Sequence, residues 1–415
     1  MLARHESEDE FVLFLVRPTD ERFISDFGKH WLRIPLYQAE HSLEQVAEPS
    51  FSFKERILAL VRAQVRKRPT LLGIWGRMRH KVIPRRARDP DKIRRRVAFT
   101  RWFRHIGIDW ILYTGPDALS FEAGIPYVMP VHDLQHRLQP EFPEVSANGE
   151  WESREYLFRN AIRHATLILA DSEVGKEDIL RFYGPYGASP DRIKVLPLLP
   201  SNYLSVDVPK RSRLRVRQAY HLPERYLFYP AQFWPHKNHA RIIEALGLLK
   251  RKYKIEIHVV FCGVHSGEIR ERTFRETMVL ARRLGVSDRV HYLGRVPNEV
   301  MSGLYAEALA LVMPTFFGPT NIPPLEAWAF GCPVLCSDIR GIREQIGDAG
   351  LLVPPRSTEA IAEGIYRLWT DKNLRDQLAA RGHRRLAKYT PEDFRRLLGD
   401  IIRDANELVR GGRDP

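Results

Sequence analysis

Cysteine is scarce: Cys262, Cys332 and Cys336 are the only three in 415 residues, odd in number and without zinc-type spacing. That composition argues against a disulfide scaffold and against a structural zinc site, and it favours a reducing compartment in which the thiols simply pack. Long hydrophobic runs are missing as well. None approaches the roughly 18 residues needed to span a bilayer, so no segment is expected to cross one. The opening residues MLARHESEDE carry four acidic side chains and no apolar stretch, which points away from a secretory signal and towards the cytoplasm. Repeats and low-complexity tracts are also absent.

At 415 residues, with 44% hydrophobic and 28% charged content, the chain has the size and balance of two globular domains of about 200 residues each. Its formal charge of +14 is unevenly spread. Lys54 to Arg104 holds 18 Lys and Arg against 3 Asp and Glu, so the rest of the chain is close to neutral. Such a segment suits an anionic membrane surface, a nucleic acid or an acidic ligand. Within it, KERILALVRAQVRKR (Lys54 to Arg68) places Ile57, Leu58, Leu60, Val61 and Val65 at near-helical spacing among basic residues. That pattern fits a helix lying in an anionic headgroup layer, or equally one whose stripe faces the protein core. Nucleic acid is ranked last, because no docking motif is present and aromatics are sparse.

Strand-length apolar runs alternate with helical stretches, the rhythm of an α/β fold with parallel sheets. The strand candidates are FVLFLV from Phe11, WILYTG from Trp110, IPYVMPV from Ile125, TLILAD from Thr166 and IKVLPL from Ile193 in the first half. In the second half they are YLFYPA from Tyr226, IEIHVVFCG from Ile255, VHYLG from Val290, LALVMPT from Leu309 and PVLCSD from Pro333. The Pro- and Ser-rich stretch Pro197 to Lys210 reads as the linker. The expected domains are therefore 1–203 and 204–390, followed by a helix in 391–415 that could pack back on the first domain.

The segment Met313 to Asp338, MPTFFGPTNIPPLEAWAFGCPVLCSD, reads as a strand, a turn through Gly318 and Pro319, and a short helix. Asn321 suits the N-cap, Pro323 and Pro324 are tolerated in the first turn, and Gly331 suits C′. A helix start at the carboxyl edge of a parallel sheet is where a diphosphate fits. Glu326, about one turn further on, could accept hydrogen bonds from a ribose diol. YPAQFWPHKNH, Tyr229 to His239, puts Lys237 at another such turn, where a compact positive charge would face a leaving diphosphate.

In order, YPAQFWPHKNH, FCG, YLGRVP, FFGPTNIPPLEAWAFGCPVLCSD and AGLLVPP resemble the second domain of family 4 glycosyltransferases, and the likeness runs from about Ile125 to the end. The resemblance implies a GT-B fold of two facing Rossmann-like domains with a cleft between them. It also implies retaining sugar transfer from a nucleotide diphosphate sugar to a glycan or lipid-linked acceptor, without a metal or other cofactor. The implied donor-binding set is Gln232, Lys237, Gly318, Thr320, Asn321, Ile322 and Glu326, with Glu326 on the ribose. In VHDLQHRLQPEF, His132 matches the histidine near the reacting centre, and Asp133, Gln135 and His136 lie on the same loop. His132 and Lys237 are the catalytic candidates. The leaving phosphate itself would accept the acceptor's proton.

Three departures stand out. Gly318 falls where the family's first glutamate contacts the donor sugar, Gln232 falls where an arginine precedes the lysine, and Pro319 lacks an N–H. The family's first strand and glycine-rich turn have no counterpart ahead of FVLFLV. A GT-B pseudoenzyme that binds a nucleotide sugar without turnover is therefore a competing expectation, and a basic membrane or nucleic-acid module is a third. PTNIPPLEA resembles bacterial polysaccharide mannosyltransferases and inclines the donor towards GDP-mannose.

Overall fold

The computed structural model describes residues 89–411 and, before them, the backbone of two strands, 12–15 and 32–35. Lys54 to Arg68 and most of the basic segment lie outside the described residues. The strands form three sheets. β1 (Val12–Leu15) pairs in parallel with β2 (Leu32–Pro35), Val12 opposite Leu32. β3 (Ile111–Leu112), β4 (Tyr127–Val131), β5 (Leu167–Ala170) and β6 (Ile193–Val195) lie in that spatial order. The third sheet contains β7 (Leu227–Pro230), β8 (Val259–Cys262), β9 (Val290–Tyr292), β10 (Ala310–Met313), β11 (Val334–Ser337) and β12 (Leu351–Val353). Its order is β12-β11-β10-β7-β8-β9, and every pair in it is parallel.

All ten sequence-predicted strands fall on strands of the structure. β2 and the three-residue β12 are additional. β8, β10 and β11 are buried at every position, as expected when helices cover both faces of a parallel sheet, and this is why they read as continuous apolar runs rather than alternating ones.

The chain packs as two compact units that alternate along the sequence. One comprises 89–129, 148–167 and 398–411 of the described residues, and the other comprises 130–147 and 168–397. The two larger sheets, by contrast, fall on either side of 196–226.

In the first unit, the helix Val97–His105 buries Phe99 and Phe103 against Leu119, Ala123 and Ile125. Two residues at the end of the basic segment serve this packing. Arg96 Nε donates to the buried Glu122 at 2.9 Å, and Arg95 donates to the Phe121 carbonyl at 2.9 Å. The same unit holds most of the C-terminal helix Pro391–Gly411, where Trp110 Nε1 donates to Asn406 Oδ1 at 2.7 Å.

In the second unit, Trp328 is buried on the helix Ile322–Ala329 and donates to the Ala349 carbonyl at 3.2 Å. Gly382, on the helix Lys372–Leu386, lets that helix approach the indole closely: a Cβ there would lie 2.2 Å from Trp328 Cδ1.

Candidate functional site

The six-stranded sheet reverses its winding between β7 and β10, with β8 and β9 to one side and β11 and β12 to the other. Parallel sheets bind ligands in the crevice outside the carboxyl ends of strands at such a point. Lys237 follows β7, and Gly318 to Asn321 follow β10.

Hydrogen bonds tie the two turns together. After β7, a 3₁₀ turn, Pro235–Lys237, leads to Asn238 at φ +61°, a left-handed conformation that asparagine tolerates. Asn238 Nδ2 donates to the carbonyls of Pro314 at 2.7 Å and Pro355 at 2.8 Å, which joins the ends of β7, β10 and β12. The Phe316 N–H and the Thr315 hydroxyl both donate to the His236 carbonyl, at 2.7 and 3.1 Å. The glycine of FCG has a backbone reason: Gly263 stands at φ +142°, and a Cβ there would lie 2.3 Å from the Ala231 carbonyl oxygen.

The Lys237 ammonium is half-buried and makes no ion pair among the described residues. Burial pushes it down to about 8, with the carboxylates of Asp133 and Glu144 working against that shift. Gln232 is exposed and accepts a hydrogen bond from Arg270 at 2.6 Å.

The turn after β10 is locked into shape. Gly318 lies at φ +137°, and a Cβ on it would come within 2.4 Å of Asn321 Nδ2. Asn321 occupies the N-cap position with an extended backbone, but its side chain does not cap the helix. Nδ2 turns back to the Gly318 carbonyl at 3.1 Å, while the Asn321 N–H donates to Gln345 at 2.9 Å. The side-chain cap expected from the sequence is absent because the N2 and N3 positions are Pro323 and Pro324, which have no N–H to donate, and Gln345 instead binds the Asn321 backbone, donating also to its carbonyl at 2.7 Å.

Pro323 and Pro324 carry no N–H, so of the first three helical residues only Ile322 presents one. The Thr320 hydroxyl is enclosed without a partner among the described residues. At the far end Gly331 stands at φ +67°, its N–H on the Trp328 carbonyl and the Cys332 N–H on that of Ala327, which completes a Schellman ending. Glu326 is buried. One of its oxygens accepts from Ser201 Oγ and the other from Tyr305 Oη at 2.6 Å. Burial and the adjoining carboxylate hold the Tyr305 hydroxyl well above its ordinary range.

The segment 130–147 belongs to the same compact unit as these turns. His132 follows β4, and its Nδ1 lies 3.1 Å from Asp171 at the end of β5. A carboxylate on Nδ1 fixes the ring and leaves Nε2 as the basic nitrogen. Asp133 accepts the Gln135 N–H at 3.0 Å and so starts the short helix Gln135–Leu138. Gln135 is buried, and its Nε2 has no partner among the described residues. His136 is fully buried against the Tyr183 hydroxyl at 3.1 Å, so it serves packing.

Further along, Gln139 donates to the Phe316 carbonyl at 2.8 Å, and Glu144 accepts both the His236 N–H at 3.1 Å and its Nδ1 at 2.6 Å. Burial would raise the Glu144 carboxyl, but the bonds from His236 outweigh it and hold the group below its usual value. A cavity of about 190 Å³ opens beside Gly318, lined by Leu138, Gln139, Val174, Phe317 and Ile339 together with the ion pair of Arg340 and Asp178 at 2.6 Å.

Sequence reasoning missed Asp171, Glu144, His236, Asp178, Arg340 and Arg270. A signal existed for Asp171, which closes the predicted strand TLILAD just as His132 closes its own. The others are paired by tertiary packing alone.

Residues 211–385 match the family described as Glycosyl transferases group 1. The O-antigen chain mannosyltransferase B of Escherichia coli is 30% identical over 247 residues, which span 58% of this chain and 61% of that protein. A D-inositol 3-phosphate glycosyltransferase of Corynebacterium glutamicum is 26% identical over 299 residues, 69% of each chain. Among solved structures, WaaG, a glycosyltransferase involved in lipopolysaccharide biosynthesis, covers 94% of this chain and 98% of its own at TM-score 0.58 and 17% identity. Anabaena HepE in complex with UDP-glucose covers 75% of this chain and 82% of its own at TM-score 0.60 and 19% identity. At these identities the structural likeness carries the fold alone. Among the described residues no helix is long and apolar enough to cross a membrane. The six-stranded sheet is thus similar to the group 1 glycosyltransferases over residues 211–385, and the chain shares the GT-B fold of its structural neighbours.

Proposed function

We propose that this chain transfers a sugar, with retention, from a nucleotide diphosphate donor to a glycan or lipid-linked acceptor. The observation that carries the reading is that the turn bearing Lys237 is hydrogen-bonded, through His236 and Asn238, to the start of the turn after β10 at the reversal of the six-stranded sheet. Gln232, Lys237, Gly318, Thr320, Asn321, Ile322 and Glu326 would bind the donor. The Thr320 hydroxyl, without a partner among the described residues, and the Ile322 N–H are the groups best suited to phosphate oxygens, with Lys237 contributing charge from the turn after β7.

The leaving phosphate takes the acceptor's proton on the face it departs from, so no protein nucleophile is needed. His132, held by Asp171, orients the reacting sugar. No metal is required in this scheme. Gly318 supplies no carboxylate to the sugar hydroxyls, and the cavity beside it, with Asp178, Arg340 and Gln139, is the alternative source of polar contacts. A mannosyltransferase among the relatives and the PTNIPPLEA motif favour GDP-mannose. The charge of the basic segment favours an acceptor at an anionic membrane face.

A thermal-shift screen of nucleotide sugars tests the reading, since a ligand at 100 times its Kd stabilises by about 2.7 kcal/mol. GDP-mannose should shift the Tm most, and Glu326→Ala should weaken binding by about 1.5 to 3 kcal/mol. No shift with any nucleotide sugar would overturn the proposal. A shift without transfer to any acceptor would favour a binding protein, a reading to which the full engagement of Glu326 by Ser201 and Tyr305 lends support.

A further inference from the structure

We propose that Arg270 is the second cation of the diphosphate site, taking from a different element the role that Gln232 cannot fill. This rests on the nucleotide-sugar reading above. A nucleoside diphosphate leaving group carries two or more negative charges, and Lys237 supplies one positive charge at the β7 turn. Arg270 lies on the helix Glu268–Arg283, which follows β8, the strand next to β7 in the sheet. Its guanidinium reaches back to the β7 turn, where Nη1 donates to Gln232 Oε1 at 2.6 Å and Cζ lies 4.5 Å from the centre of the Trp234 ring. Gln232 stands five residues before Lys237 in that same turn.

Arg270 combines two features that Arg241, Arg289 and Arg340 do not. It has no carboxylate within ion-pairing distance among the described residues, whereas Arg289 is paired with Glu256 and Asp288, Arg340 with Glu177 and Asp178, and Arg241 with Glu244. Its Nε is also enclosed without a hydrogen-bond partner. The adjoining acid does not serve it, since Glu271 accepts the Gly267 N–H instead.

A guanidinium held by a neutral amide and an aromatic face, with donors unused, is oriented for an anion yet not neutralised. Arg356 also lies over a ring, that of Phe316, but it is exposed and has no hydrogen bond to fix it among the described residues. Gly267, at φ +99°, keeps the space beside Arg270 open: a Cβ there would lie 3.2 Å from Nη2.

The test is calorimetric titration of the full chain with GDP, UDP, GMP and UMP. Arg270→Ala should weaken diphosphate binding about tenfold or more and monophosphate binding much less, which lowers the diphosphate preference. Arg270→Gln, which keeps a chain over Trp234, should do the same and serves if the alanine variant folds poorly by circular dichroism. Adding Gln232→Arg to either variant returns a guanidinium to the side chain that Arg270 contacts in the same turn and should restore the preference. A merely structural arginine would not give that rescue. Unchanged preference in both folded single variants, or no rescue by Gln232→Arg, would overturn the assignment. If the unaltered protein binds no nucleotide at all, the nucleotide-sugar reading fails and the role of Arg270 fails with it.

Discussion

The two turns at the sheet reversal are built on opposite plans. After β10 nearly every polar group is spoken for. Gly318, Asn321 and Gln345 bind one another, Glu326 is taken by Ser201 and Tyr305, and Trp328 is clamped by Gly382. After β7 the charges are left unbalanced: Lys237 is half-buried with no ion pair among the described residues, and Arg270 rests on an amide and an indole. One turn supplies shape and the other supplies charge. A site that stabilises a leaving anion needs both, because unneutralised cations cost folding energy and persist only where rigid structure holds them in place.

The comparison predicts that damage to the two turns will separate in kind. Removing the charge should have the largest effect. Lys237→Ala should lower the rate constant for sugar transfer by about 10², the loss typical of one transition-state donor. Its Tm should stay level or rise, because burying an unpaired ammonium is unfavourable. Rate assays beside thermal melts check this, and a variant that melts early or transfers sugar normally would erase the distinction between the turns.

Damage to shape should invert the pattern. Gly382→Ala drives a methyl into the Trp328 ring and should cost about 1 to 3 kcal/mol in urea unfolding, even though alanine favours the helix. Every charged group would remain in place. A variant as stable as the parent would show that the helix bearing Glu326 is not clamped there.

The sequence reveals one turn better than the other for the same reason. Shape after β10 comes from residue types with local conformational demands. Gly318, Gly331 and the two prolines mark the turn, the helix start and the helix end by residue type alone. Asn321 shows the limit of reading residue types one at a time: its type suits a cap, but Pro323 and Pro324 leave no N–H for it at the N2 and N3 positions, and its own N–H goes to Gln345, 24 residues away. Charge after β7 depends on what is absent around it, and an absent carboxylate is a property of tertiary packing. Lys237 could be named from its position after a strand. Arg270, 38 residues from its partner Gln232, could not. Strand content is legible wherever burial on both faces makes continuous apolar runs. β2, Leu32–Pro35, is broken by Arg33, and β12, though apolar, is only three residues long, so neither gives a comparable signal.

The smallest effect expected is a proton. Lys237 holds its charge only up to a pH of about 8, because burial favours the neutral amine. The unfolded chain would keep that proton to about 10.4, so between these values it binds more protons than the folded one, and the lysine's contribution to stability rises with pH. Binding runs the other way. A diphosphate beside the ammonium favours the charged form, so above pH 8 the complex holds a proton that the free protein has lost, and affinity falls as pH rises. Diphosphate esters are fully ionised there, which leaves the lysine as the group that changes. Calorimetry at pH 8.5 in two buffers of different ionisation enthalpy should therefore show uptake of a fraction of a proton on GDP binding. At pH 7, where Lys237 is already charged, this uptake should vanish, and Lys237→Met should abolish it at pH 8.5. Equal enthalpies in the two buffers at pH 8.5 would mean that the lysine does not face the phosphates, and the charge assigned to the β7 turn would have to come from Arg270 alone.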